Sequence, residues 1–245
     1  MNGPPHRLPI ETLASVSSLA HQTPQSGRRV MAKGVPDPWK RKLDLAFLFL
    51  GLPGIILLML LIGLGIKLVS PGPVFFKQER VGLRRKRFMC FKFRTMKEGA
   101  DTLPHQQYLK RLLHSDEPMT KMDSQGDPRL IPMGRLLRSS GLDELPQLIN
   151  VLRGEMSLVG PRPCMTYELA NYSPSQLARF EALPGLTGLW QVSGKNRTTF
   201  CEMVILDVRY AEQKSLWLDL KIMAATFPTL ISQVGQARNR SGGSV

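Results

Sequence analysis

The sequence predicts a mostly helical α+β chain built around one membrane-embedded segment, and three observations predict it. Residues 43–66 are almost wholly apolar with basic residues at both ends, two short segments bracket a basic run at residues 84–87, and beyond residue 134 the apolar spacing becomes helical. At 245 residues the chain is long enough for one domain with attachments. Its 33 Lys and Arg against 19 Asp and Glu give a net charge of +14, which calls for an anionic partner: nucleic acid, acidic lipid or a phosphorylated substrate.

Residues 1–38 are rich in Pro, Ser, Gln and Gly without periodicity, which predicts a disordered tail. It lacks the apolar stretch of a signal peptide. Residues 39–68 form the membrane unit. A run of about 24 residues at about 1.5 Å each would cross a hydrocarbon core of about 30 Å. Two features weigh against a plain span. Gly51-Leu52-Pro53-Gly54 falls near the middle, where proline removes a helix hydrogen bond and glycine loosens the backbone. Basic residues also crowd both flanks, with Lys40, Arg41 and Lys42 before the run and Lys67, Lys77, Arg80 and Arg84 to Arg87 after it, so the positive-inside bias draws both ends to one face. A Pro-kinked span accommodates the proline. A re-entrant hairpin with two arms of roughly 15 Å accommodates the proline and the charges together.

Ser70-Pro71-Gly72-Pro73 ends the apolar run, and Val74-Phe75-Phe76 followed by Met89, Phe91 and Phe93 predicts a short β-hairpin. The Arg84-Arg85-Lys86-Arg87 run between them suits a solvated loop, nucleic acid or anionic headgroups, the last at about 1 kcal/mol per charge near a surface. Beside a membrane segment, lipid is the better fit. Residues 99–126 are polar and locally helical, a connector leading to Asp127-Pro128-Arg129.

From Leu145 the apolar residues Leu145, Leu148, Ile149 and Leu152 predict a helix with Asp143 and Glu144 at its N-terminus; Pro146 is tolerated in a first turn. Carboxylates there ordinarily serve the helix dipole, at about 0.3–1 kcal/mol. Their company suggests more. Arg135 and Arg138 precede the pair, Arg153 follows, and Arg162 is fixed between prolines in Gly160-Pro161-Arg162-Pro163. Arginine forks near a helix N-terminus suit phosphate oxygens. A carboxylate among them can attack phosphorus or hold Mg²⁺ against a pyrophosphate.

Downstream, Ser175 to Leu183 predicts a short helix stopped by Pro184-Gly185. Residues 216–231 are too interrupted to span and read as a core or interfacial helix, and 235–245 as a flexible basic tail. Cys90, Cys164 and Cys201 and the four histidines show no metal-ligand or disulfide spacing. No phosphate-loop or dinucleotide-binding motif is present. Aromatic residues make up 7% of the chain, too few for stacking platforms on nucleic acid.

Several blocks together resemble the bacterial polyprenyl-phosphate hexose-1-phosphate transferases, monotopic phosphoglycosyl transferases of the short form. These blocks are Lys40-Arg41 with Asp44; Gly72-Pro73 with Phe76, Gln78, Arg80 and Gly82; Lys92 to Met96; Asp143 to Gln147; Pro161 to Pro163; Pro184-Gly185 with Thr187-Gly188; and Asp207, Tyr210, Ser215 and Asp219. The resemblance runs over roughly Lys40 to Thr229. It implies a helix broken at Pro53 and re-entering one leaflet, interfacial amphipathic helices, and a cytosolic catalytic domain over 69–234. By the same resemblance Asp143 is the nucleophile, Glu144 helps hold Mg²⁺ (Mn²⁺ as a substitute), and Arg138 and Arg162 bind phosphate together with Lys195 or Arg197. Lys195 stands where the family carries Arg and lacks the bidentate fork. Lys40, Arg41, Asp44 and Pro53 form the implied membrane anchor. The implied partners are a UDP-sugar donor, a polyprenyl phosphate acceptor, membrane lipid and, as one arrangement, a second copy of the chain, with no nucleic acid. The implied location is the cytoplasmic face of a bacterial inner membrane. A nucleotide-sugar hydrolase and a membrane-tethered nucleic-acid-binding protein are the rival readings.

Overall fold

The computed structural model describes residues 37–101, 103–113, 115, 117–119, 127–194 and 197–241. Nearly all of the predicted N-terminal tail, and Lys195, lie outside the described residues.

Helix α1, Pro38–Val69, opens with proline in its first turn, where the missing N–H has no intrahelical acceptor to lose. Among the described residues it is the one helix long and apolar enough to cross a membrane, by length and composition. The backbone is helical through Pro53, where the missing N–H and the ring's clash with the preceding turn favour a bend. One stripe of α1 is covered. Lys40, Asp44, Leu48, Ile62 and Ile66 are buried, and Leu52, Ile55 and Met59 between them pack on the same domain. The spacing of three and four residues is that of one helix face. The opposite face, including Phe49, Leu50, Leu57, Leu60, Leu61 and Leu64, is exposed.

The predicted hairpin is present as β1, Phe75–Val81, and β2, Arg87–Phe93, paired antiparallel from Phe75 with Phe93 to Val81 with Arg87. Further along the chain come α2, Leu103–Leu113, in the polar connector, and α3, Gly134–Ser140. A 3₁₀ turn, Leu142–Glu144, leads into the short α4, Gln147–Leu152. Strand β3, Ser157–Val159, pairs in parallel with β5, Gly185–Thr187, while β4, Cys164–Met165, adds to β1 to give a three-stranded sheet of order β2-β1-β4. Three helices complete the chain: α5, Leu189–Val192; α6, Phe200–Gln213; and α7, Leu216–Ser241.

Helix α6 starts with a capping box, Thr199 Oγ1 accepting from the Glu202 N–H and Glu202 accepting from the Thr199 N–H. Helix α7 buries Leu218, Asp219, Ile222 and Ala225 and exposes Leu216, Trp217 and Phe227, so it combines the core and surface roles that its interrupted sequence suggested. Its backbone is helical through Pro228 as far as Ser241. The main core joins α5, α6 and α7 to Val81, Val159, Cys164, Tyr172 and Phe180. Two smaller clusters lie under α1: Leu48 with Cys90, Leu148, Val151 and Met156, and Ile62 and Ile66 with Phe93, Ile131 and Leu137. Helix α1 therefore packs over β2 and α4, the elements on either side of the 3₁₀ turn that carries the acidic pair.

Candidate active site

Asp143 and Glu144 stand in the 3₁₀ turn just before α4, one turn from where the apolar spacing placed the helix start. Gly141, at φ 74°, terminates α3 in the left-handed conformation, and half-buried Arg138, in the last turn of α3, is close enough to Asp127 for its charge to help lower that carboxyl. Both carboxylates are half-buried. Glu144 Oε1 accepts from Lys92 Nζ at 2.7 Å, with the two side chains 37% and 23% exposed. Such a pair is neutralised but still open to a ligand.

Asn150 holds that geometry. It is fully buried in α4, its Oδ1 accepts from the Phe91 N–H at 3.1 Å, and its Nδ2 donates to the Met89 carbonyl at 2.7 Å and to Glu155 Oε2 at 2.6 Å. The amide thus completes the edge of β2 as a neighbouring strand would, and fixes β2, with Lys92, against the helix behind Glu144. Arg153 lies over the Phe91 ring at 5.0 Å on the same surface.

The Pro161-Arg162-Pro163 loop sits in a second, buried cluster. Arg162 Nη1 donates to both oxygens of Glu168 at 3.1 and 3.2 Å, and the Arg162 N–H donates to Asp207 Oδ2 at 3.2 Å. Arg179 donates to the Arg162 carbonyl at 2.9 Å, to Asp207 Oδ2 at 2.5 Å and to the Tyr172 hydroxyl. Arg80 donates to the Pro163 carbonyl at 2.9 Å and to Gln78 Oε1 at 2.7 Å. Burial is the strongest influence on Glu168, yet the guanidiniums of Arg162, Arg179 and Arg80 together outweigh it and hold its carboxyl below the usual range. For Asp207 burial prevails and pushes the carboxyl up to about 6, in keeping with an Oδ1 that is buried without a hydrogen-bond partner. Three guanidiniums against two carboxylates leave the cluster net cationic.

Glycines make the loop's approach to β5 feasible. A Cβ on Gly185 would lie 2.0 Å from the Gly160 amide nitrogen, and one on Gly160 would lie 2.1 Å from the Leu183 carbonyl. The Pro184-Gly185 and Thr187-Gly188 block of the sequence therefore packs directly on the Pro-Arg-Pro loop, with the Gly185 N–H donating to the Pro161 carbonyl at 2.8 Å.

The remaining marked residues fall elsewhere. Arg197 is exposed in the loop between α5 and α6 and pairs with neither carboxylate of the acidic turn. Lys40, Arg41 and Asp44 face inward. Lys40 Nζ donates to Asp219 Oδ2 at 2.5 Å and to the Tyr210 hydroxyl at 2.8 Å, with the ion pair almost fully buried. Arg41 donates to the carbonyls of Val151 and Leu152 at 2.5 and 2.6 Å, capping the C-terminus of α4. Asp44 Oδ1 accepts from Ser157 Oγ and the Leu158 N–H, both at 2.9 Å. Pro53 lies on the exposed face of α1. Sequence reasoning gave no role to Lys92, Asn150, Glu168 or Arg179. An amide in the apolar run of α4 was the one available signal for Asn150, and Lys92 stood in the Lys92 to Met96 block; Glu168 and Arg179 have none short of the fold.

Among the described residues no group of three or more His, Cys, Asp or Glu side chains is placed to hold a metal ion. Two adjacent carboxylates suit Mg²⁺ in its usual mode, held by one or two carboxylates together with substrate phosphates and water.

A half-exposed carboxylate pair, a lysine against Glu144 and a buried arginine-rich loop stand on a fold that carries a long apolar helix, and over residues 35–233 the chain matches the model of the bacterial sugar transferase family. The chain belongs to that family. It is 38% identical over 191 residues to the exopolysaccharide production protein ExoY of Sinorhizobium fredii, covering 78% of this chain and 84% of the relative. It is 43% identical over 183 residues to the UDP-glucose:undecaprenyl-phosphate glucose-1-phosphate transferase of Caulobacter vibrioides, covering 71% of this chain and 63% of the relative. With the undecaprenyl-phosphate galactose phosphotransferase of Salmonella typhimurium it shares 40% over 170 residues, 67% of this chain and 34% of the relative.

Proposed function

We propose that the chain transfers a hexose 1-phosphate from a UDP-sugar to undecaprenyl phosphate or a related polyprenyl phosphate, with release of UMP, to begin assembly of an exopolysaccharide or other surface glycan. The names of the Caulobacter and Salmonella relatives, transferases acting with undecaprenyl phosphate, support the acceptor and the transferred group. The observation that carries the reading is the half-exposed Asp143-Glu144 pair, with Lys92 against Glu144.

In the first step an Asp143 oxygen attacks the phosphorus joined to the sugar, the bond from that phosphorus to the bridging oxygen breaks, and UMP leaves with the bonding pair. In the second an oxygen of the lipid phosphate attacks the same phosphorus, releasing the Asp143 carboxylate and leaving the sugar joined to the lipid through a pyrophosphate. Each step brings an anion toward a carboxylate, so cations must offset the charge that moves. Lys92 lies at the acidic turn, Arg138 stands in the last turn of the helix that precedes it, and Arg162 presents a guanidinium held by Glu168. Mg²⁺, when bound by Glu144 with Asp143, would supply Lewis-acid stabilisation to the donor pyrophosphate.

The stripe of α1 packed on the domain supports a monotopic arrangement. From Lys40 to Ile66 the helix is about 39 Å long, and both ends of that span touch the same domain. A helix that left its domain to cross a bilayer could not do this. We place α1 in one leaflet of the inner membrane with the catalytic domain on the cytoplasmic face, where a lipid phosphate reaches Asp143 at headgroup level.

The test is UMP release by detergent-purified protein with Mg²⁺ over a panel of UDP-hexoses, with and without undecaprenyl phosphate. Release that needs both the lipid and Asp143 is the expected result and identifies the sugar. Release that proceeds through many turnovers without lipid would replace the transferase by a hydrolase.

A further inference from the structure

The tip of the β1-β2 hairpin departs from the residues that its own turn favours. Lys86 N–H donates to the Leu83 carbonyl at 3.1 Å, and the two central residues both have positive φ: Arg84 at φ 53°, ψ 32° and Arg85 at φ 60°. This is the type I′ geometry that matches the strand twist, and Asn-Gly is its preferred pair, because few L side chains enter the left-handed region readily. Two arginines occupy it here. A backbone outlier of this kind directs attention to what the side chains do.

Arg84, Arg85, Lys86 and Arg87 are all exposed. Arg87 pairs with Glu79 at 3.3 Å, and among the described residues no carboxylate pairs with the other three. A chain of contacts sets their level on the molecule. The tip packs on the 3₁₀ turn Gln176–Glu181, whose last carbonyl accepts from Lys214 Nζ at 3.4 Å. Lys214 also pairs at 3.2 Å with Asp37, the residue that precedes α1. Two residues beyond Ser215 stands Trp217, 67% exposed, with Lys221 Nζ 5.7 Å from its ring centre. An exposed tryptophan flanked by lysine is typical of a bilayer interface. The exposed apolar face of α1 begins about three turns after Asp37, at Phe47.

We propose that the Arg84-Arg85-Lys86 tip is a docking surface for the anionic headgroups of a phospholipid bilayer, which sets the height and tilt of the catalytic domain against the membrane that α1 enters. The proposal rests on the membrane placement of α1 given above and is independent of which sugar is transferred. Nucleic acid could use the same cations, but the neighbouring Trp217 and the apolar face of α1 favour lipid.

The decisive variant is Arg84→Asn with Arg85→Gly, which installs the pair the turn prefers, so the hairpin keeps its fold while losing two cations. Purified full-length protein and this variant are floated with phosphatidylcholine vesicles and with vesicles containing phosphatidylglycerol, at 0.05 and 0.5 M salt, alongside thermal melting in detergent. At low salt the variant is expected to bind phosphatidylglycerol vesicles up to about thirtyfold more weakly, at roughly fivefold per charge. The gap should close in high salt and on neutral vesicles, with the melting temperature unchanged or raised. Equal flotation of the two proteins on both lipids would overturn the proposal and leave the placement of α1 standing. Failure of the wild-type protein to float on either would overturn both. A variant that binds vesicles normally but needs more UDP-sugar for half-maximal turnover in detergent would reassign the arginines to the donor's phosphates. Loss of oligonucleotide retention with no change on vesicles would reassign them to nucleic acid.

Discussion

The Pro-Arg-Pro cluster and the acidic turn both set arginine or lysine against carboxylates, yet they are built to opposite specifications. Around Arg162 the charges are buried and locked by multiple hydrogen bonds, with Glu168 accepting from Arg162 and Tyr172 and with Asp207 accepting from Arg179 and the Arg162 amide. At Glu144 the ion pair with Lys92 is half-exposed, the Glu144 and Lys92 side chains being 37% and 23% open to solvent. A buried pair has no solvent to replace a lost partner, so its value is positional. A half-exposed pair contributes little to stability and can exchange partners when a ligand arrives. The molecule thus separates the charges that shape the loop from the charges that meet substrate.

Substitutions test that separation. The largest effect is expected from Asp143→Asn, which removes the attacking oxygen's charge: turnover should fall about 10³-fold or more while thermal melting stays within about 1 kcal/mol of wild type. A melting loss of several kcal/mol would assign Asp143 to structure. Next, Glu168→Gln leaves buried Arg162 without its paired carboxylate and should cost about 3 kcal/mol of stability in denaturant titration. If it unfolds no more easily than wild type, the cluster is not the rigid support described. Lys92→Met should lower kcat/KM about tenfold with little change in melting, because it removes a cation at the acidic turn and leaves Asn150 to hold β2. An effect on stability alone would place Lys92 with the buried set.

The smallest effect concerns Asp127, whose hydrogen bonds and charge interaction with Arg129 hold its carboxyl down to about 2 against some desolvation. Its folded pKa lies below the unfolded value near 3.8, so its contribution is present above that pH and is lost as pH falls toward 2. After allowance for solvent screening it amounts to about 1 kcal/mol. Melting curves at pH 5 and pH 3 should therefore converge for Asp127→Asn relative to wild type. Equal acid sensitivity of the two proteins would show that the pair is already broken in solution.

Much of this architecture is legible along the chain. The apolar run and its basic flanks mark α1, the alternation at Met89, Phe91 and Phe93 marks β2, and the spacing of Leu145, Leu148, Ile149 and Leu152 puts Asp143 and Glu144 within a turn of the helix start. The direction in which charged residues face was not legible. Lys40, Arg41 and Asp44 read as flanking charges at a membrane surface, whereas in the fold they bind α4, α6, α7 and β3. The proline marked the middle of the run correctly, and the backbone is helical through it. The left-handed backbone at Arg84 and Arg85 runs against residue preference, so no turn signal announced it.

By itself the sequence determined the elements and the faces they share, because helix and strand periodicity are local properties that residues three, four or two apart settle between themselves. It also determined which chemistry was at hand, the adjacent carboxylates and the arginine between prolines. Tertiary structure alone decided the pairings. Lys40 meets Asp219 across 179 positions, Lys92 meets Glu144 across 52, and Arg179 meets Asp207 across 28. No local spacing encodes such contacts, since they form only when burial of the surrounding apolar surface brings distant segments together and the low dielectric penalises any charge left without a partner.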